Sequence, residues 1–204
     1  MKRHTKILVS LLTLSLASLA GTKLAQALTY QDELDVSFTF NSSISMSLSS
    51  NNLTVASLSP GTYSDSNIVT ITTSSNNATG YVLTATAGNG TTYANTNLAN
   101  GGNSFTSLAT TDSIGSMSAA DSSQYGRWGY TFSTDSGTTW KNGTGGNGYS
   151  GLPYYTASGA EILSTSTNGT SEVQFKIGAK ASTAQSSGTY KNVINFVATA
   201  NPAE

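Results

Sequence analysis

Apolar and polar side chains alternate with period two through much of this chain. Leu34, Val36, Phe38 and Phe40 share one face, with Asp35, Ser37 and Thr39 on the other. Ile44, Met46 and Leu48 alternate with serines. Val173, Phe175, Ile177 and Ala179 alternate with Gln174, Lys176 and Gly178, and Ile194, Phe196 and Ala198 with Asn195, Val197 and Thr199. Successive side chains of a strand point to opposite faces, so each run predicts a half-buried strand, one face on a core and the other in water. Trp128, Tyr130 and Phe132 share a face by the same rule and are expected in the core. Clusters of Gly, Asn and Ser interrupt these runs about every 8–12 residues, the spacing of an antiparallel sandwich or barrel. No apolar stripe of helical period longer than two turns follows residue 27. The expected fold class is all-β.

The N-terminus has a different pattern. Lys2, Arg3 and Lys6 precede a 14-residue apolar run at 7–20, and Ala25-Gln26-Ala27 follows. This is the plan of a helical secretory signal peptide, residues 1–27, cleaved to leave Leu28 as the mature start. The run falls short of the roughly 20 apolar residues of a membrane span. The expected product is therefore secreted, with no membrane span after cleavage. No cysteine follows the apolar run and Asn201-Pro202-Ala203-Glu204 is not hydrophobic, so neither a lipid anchor nor a C-terminal anchor or sorting signal is expected. Residues 28–204 are expected to form one sandwich. Residues 88–126, where Phe105, Leu108, Ile114 and Met117 are among the few strongly apolar residues, read as a loop-rich insertion with one short strand or helical turn.

Composition removes whole classes of chemistry. Ser and Thr number 33 and 31 of 204 residues, charged residues are 9%, and there is no cysteine. Disulfide frameworks, thiolate zinc sites and cysteine nucleophiles are excluded. The single histidine, His4, lies in the signal segment. Beyond residue 27 there are five basic and ten acidic residues, a balance that argues against nucleic acid as a partner. Lys141, Lys176, Lys180 and Lys191 show no Ser-x-x-Lys spacing, and Asp112, Asp121, Asp135 and Glu161 form no marked acid pair. Asp32, Glu33 and Asp35 lack the glycine-interrupted spacing of a calcium loop. No enzyme activity, metal or cofactor is expected. Six Asn-x-Ser/Thr sequons, at Asn41, Asn52, Asn77, Asn89, Asn142 and Asn168, are about what this composition produces by chance.

Eight of the 18 aromatics and eight of the 20 glycines lie between residues 125 and 155. Trp140, Tyr149, Tyr154 and Tyr155 fall in its glycine-rich stretches and are candidates for a platform on which sugar rings stack. The octapeptide at residues 133–140, with Ser133, Asp135, Gly137 and Trp140 at its fixed positions, resembles the Asp-box hairpin of sialidases. In it Asp135 accepts turn amides, Gly137 supplies a positive φ, and Trp140 anchors the hairpin. The motif occurs once, and the single arginine beyond residue 27, Arg127, does not make the arginine cluster of a sialidase. The hairpin is therefore read as structural. A second echo pairs Ser59-Pro60-Gly61-Thr62-Tyr63 with Ser187-Gly188-Thr189-Tyr190, each a turn whose tyrosine is expected to cover one end of the core.

The ordered series comprises residues 34–41, the Ser59 turn with Asp65-Ser66-Asn67, Asn77-Ala78-Thr79-Gly80-Tyr81, Trp128-Gly129-Tyr130, Tyr149-Ser150-Gly151-Leu152-Pro153, and Gly188-Thr189-Tyr190 before Ile194-Asn195-Phe196. It resembles uncharacterised secreted β-sandwich modules of bacterial cell-surface proteins, as in candidate-phylum bacteria. That resemblance implies a single antiparallel sandwich, Ig-like or jelly-roll-like, displayed outside the cell. The expected function is a non-enzymatic surface or adhesion module whose partner is a cell-surface glycan or protein. Two alternatives stay open. One is a self-assembling fibre subunit, a homo-oligomer through a donor strand carrying Leu34, Val36, Phe38 and Phe40. The other is a carbohydrate-binding module using the loop aromatics.

Overall fold

One interior strand buries every second side chain along its whole length. In β3 (Val69–Ser75) these are Val69, Ile71, Thr73 and Ser75. The computed structural model describes residues 41–121, 125–142 and 148–202, all within one unit, Phe40–Glu204. The signal segment and the run at residues 34–40 lie outside the described residues, as do Asp32, Glu33 and Asp35.

Among the described residues β3 is joined by β1 (Ile44–Leu48), β2 (Tyr63–Asp65), β4 (Tyr81–Ala87), β5 (Leu98–Asn100), β6 (Asn103–Ser107), β7 (Gly126–Ser133), β8 (Ala160–Ser164), β9 (Gly169–Lys180) and β10 (Ile194–Ala200). A 3₁₀ turn occupies Met117–Ala119. Within this set no helix is long and apolar enough to cross a membrane. The larger sheet has the order β1-β3-β9-β7-β6-β5, with β2 also on β9, and the smaller is β10-β4-β8. The expected all-β architecture is present as two sheets over a common core.

That core joins Ile71, Trp128, Tyr130, Phe132, Val173 and Phe175 of the larger sheet to Tyr81, Leu83, Ala85 and Ile162 of the smaller. Phe175 stacks on Tyr130 at 5.6 Å and meets Phe196 edge-on at 5.0 Å. Such aromatic pairs add about 0.5–1.5 kcal/mol each beyond the area they bury. The expected core placement of Trp128, Tyr130 and Phe132 holds, since all three are buried.

The expectations need correction at several points. The sheets are not purely antiparallel, because β6 and β7 run parallel. Parallel neighbours require a long crossover, supplied here by residues 108–125. Part of that crossover lies on the outer face of the larger sheet, where Leu108, Met117 and Ala120 form a second apolar cluster with Tyr149. Lys180 Nζ fastens it by donating to Ser118 O and Ala120 O, each at 2.7 Å. Among its described residues segment 88–126 thus holds two short strands and a 3₁₀ turn, more than the single short element expected. Second, β1 does not bury its apolar face. Ile44 packs on the core, but Met46 and Leu48 are 38% and 37% exposed, β1 being the edge strand among the described residues. Third, the two Gly-Thr-Tyr turns differ. Tyr190 packs edge-on against Phe105 at 4.8 Å, whereas Tyr63 is 52% exposed.

Strands β2 and β3 are halves of one interrupted strand along β9. Asp65 pairs with Gly178 and Val69 with Phe175, so the register slips by one residue between them. Ser66 fills the slip: its N–H donates to Ile177 O at 2.8 Å, and its Oγ accepts from Ile177 N–H at 3.0 Å. A bulge of this kind reverses which face the preceding residues occupy. Asp65 consequently points outward, beside Gly178, while Val69 points into the core.

Candidate functional site

Among the described residues, charge, aromatic surface and a cleft come together on the outer face of the larger sheet. The floor of this constellation is the cross-strand pair Gly129 and Gly178. A Cβ on Gly178 would collide with Met117 Cγ and Tyr149 Cε1, and one on Gly129 with Leu108 Cδ1 and Ser150 O. The two bare positions are what let the covering layer lie directly on the sheet. Tyr149 is held there by reciprocal backbone bonds with Ile114, at 2.6 and 3.0 Å. Its hydroxyl donates to Asp65 Oδ1 at 2.7 Å. Burial first, and the Asp65 carboxylate second, hold the Tyr149 pKa above the ordinary tyrosine range.

Lys176, on the outward face of β9, donates to Asp65 Oδ2 at 2.8 Å. The same ammonium lies 4.4 Å from the Trp140 ring centroid and 5.9 Å from that of Tyr149. The quadrupole of each ring attracts it. A cleft of about 310 Å³ opens above this group, lined by Tyr63, Asp65, Met117, Trp140, Tyr149 and Lys176 among others.

The hairpin after β7 delivers Trp140 to the cleft. Ser136 and Gly137 have φ of 57° and 85°, and Thr138 N–H donates to Asp135 O at 3.3 Å, a type I′ turn. Ser133 Oγ donates to Asp135 Oδ1 at 2.6 Å and accepts from Gly137 N–H at 2.8 Å. Thr139 N–H donates to Asp135 Oδ1 at 2.8 Å. The Ser133 hydroxyl, then the Thr139 amide, lower the Asp135 carboxyl to about 2. Reciprocal backbone bonds between Phe132 and Lys141, at 2.7 and 2.8 Å, close the hairpin and leave Trp140 half-buried at the rim.

The four aromatics suggested as a sugar platform fall into two groups. Trp140 and Tyr149 belong to the cleft, but Tyr149 is only 6% exposed, so its ring face is not a stacking surface. Tyr154 and Tyr155 meet edge-on at 4.7 Å and pack instead on the loop after β4. There Tyr155 N–H donates to Ala87 O at 3.0 Å, and a Cβ on Gly88 or Gly90 would strike the two rings. Tyr155 is 43% exposed and offers a surface of its own. The donor-strand residues Leu34, Val36, Phe38 and Phe40 lie outside the described residues. Asn77 and Asn142, two of the sequon asparagines, are buried, and Asn77 Nδ2 bonds Gly80 O and Asn201 O at 2.7 and 2.9 Å.

Sequence reasoning did not place Asp65, Lys176, Tyr63 or Met117 in a site. Lys176 reads as an ordinary outward strand position. Asp65 reaches it through a one-residue slip that leaves no compositional mark. Comparison of the chain with protein-family models, curated proteins and solved structures yields no match.

Proposed function

We propose that this protein is a non-enzymatic, secreted cell-surface adhesion module that contacts its ligand at the Trp140–Lys176–Asp65 cleft. The observation that carries the reading is the ion pair beneath Trp140. One aromatic edge sits beside a donor and an acceptor held in fixed geometry by Tyr149. A few convergent polar groups against aromatic surface are the usual make-up of a ligand site. Secretion rests on the N-terminal signal pattern, and the absence of His and Cys beyond residue 27 supports a binding rather than a catalytic role.

A glycan is the favoured ligand class. Trp140 supplies an apolar rim for a sugar face, while Lys176 and Asp65 supply hydrogen bonds for hydroxyls. Exposed Tyr155, with the half-buried Tyr154 against it, offers a second contact point. A glycan array with the mature protein tests this. Binding lost in Trp140→Ala and Lys176→Met but retained in Tyr155→Ala would place the ligand in the cleft. Binding lost only in Tyr155→Ala would move it to the tyrosine pair, and a blank array would remove the glycan.

A further inference from the structure

We propose that the edge of β10 turned away from β4 accepts a strand from a second copy of this chain, and that the donated strand is residues 34–40. The binding reading above does not depend on this. In the β10–β4 ladder, Gly88 N–H donates to Val193 O and Asn201 N–H to Gly80 O. By antiparallel alternation Asn195, Val197 and Thr199 turn their backbone groups to β4, while Ile194, Phe196, Ala198 and Ala200 turn theirs away. Among the described residues no strand pairs with that second edge. The outer edge of β1, where Ile44, Met46 and Leu48 direct their backbone groups outward, likewise has no partner strand among the described residues.

Open edges are normally blunted by charge, proline or shortness. At the other edges of the two sheets, β8 carries Glu161 and β5 is three residues long. Neither β1 nor β10 contains a charged residue or a proline. The rims beside them are apolar: Met46 and Leu48 are exposed, and Ile194, Phe196 and Ala198 are only partly buried against the core. Among the described residues this flank has no strand with an apolar inner face.

Residues 34–40 have that pattern, with four apolar side chains on one face and the seven-residue length of β10. Residue 41 fixes the direction. Its carbonyl accepts from Asn76 Nδ2, and the neighbouring Asn77 Nδ2 donates to Asn201 O, so residue 41 sits at the end where β10 finishes. A strand leading straight into β1 of the same chain would run parallel to β10. The antiparallel ladder, more stable per residue, is open only to a neighbour's strand. Each copy then carries one donor and one acceptor, a head-to-tail contact that closes into rings or continues as filaments.

Because the chain has no cysteine, single-cysteine variants of the mature protein give a clean test. Ser37 and Val197 are the central outward residues of donor and acceptor. A chain carrying Ser37→Cys is mixed with one carrying Val197→Cys and oxidised. The expected result is a disulfide-linked pair of unlike chains, together with concentration-dependent oligomers of the unmodified protein. A peptide of residues 28–41 should dissolve those oligomers, and the same peptide with Phe38→Asp should not. The proposal is overturned if the unmodified protein is monomeric at all concentrations, or if the mixture yields no unlike-chain disulfide. It is equally overturned if a chain carrying both substitutions closes its disulfide within one molecule.

Discussion

Asp65 and Lys176 lie on adjacent strands, two positions out of direct register, and meet at 2.8 Å because the bulge at Ser66 turns Asp65 to the outer face. Their side chains are 37% and 17% exposed. The pair therefore sits between a surface contact, worth up to about 1 kcal/mol, and a buried one. Lys176→Met keeps a long unbranched side chain beside Trp140 and removes the charge. Its cost in urea unfolding should be about 1 kcal/mol or less, while ligand binding at the cleft is lost.

Gly178 has no room for a side chain. Gly178→Ala forces Met117 and Tyr149 off the sheet, and overpacking of this kind costs about 1–3 kcal/mol. Gly102, where a Cβ would meet nothing within 4 Å, is the control. Gly102→Ala should leave the melting temperature unchanged or slightly raised. Thermal unfolding of the two variants side by side checks the comparison.

The Asp135 carboxyl is lowered to about 2 by the hairpin, so the folded state favours its charged form. The resulting stabilisation is present above the unfolded carboxyl value near 3.9 and disappears as pH falls through about 2. An NMR titration should give Asp135 a midpoint near 2, with the Thr139 amide losing protection over the same range. Ser133→Ala removes the largest cause and should raise the midpoint toward the ordinary range.

Tyr149 behaves in the opposite sense. Its folded pKa is raised, so the unfolded chain loses this proton first as the solution becomes alkaline. Stability should decline above about pH 10, the ordinary tyrosine value, as the unfolded state gains the ionised form. Absorbance titration of the phenols should show Tyr149 ionising only when the protein unfolds. Tyr149→Phe should flatten that alkaline decline and cost about 1–3 kcal/mol at neutral pH, since the bond it loses is to a carboxylate.

Alternation by itself determined the fold class and much of the core. Trp128, Tyr130 and Phe132, like Val173, Phe175 and Ile177, are buried as their spacing requires, because the two faces of a strand are set by the backbone of that strand alone. The turn at residues 133–140 was legible for the same reason: its bonds join residues at most four positions apart. Other properties depended on segments distant in the chain. Whether Met46 and Leu48 are covered depends on what lies beyond the edge of the sheet. The burial of Tyr149 depends on a crossover that begins 41 residues earlier, at Leu108, and on the bare glycines beneath it. The parallel β6–β7 pair depends on the path of that same crossover. The site itself required both a slip in register and the approach of Lys176 to Asp65 across 111 positions of sequence. A period-two pattern records which side chains share a face, and only tertiary packing decides what, if anything, comes to rest on it.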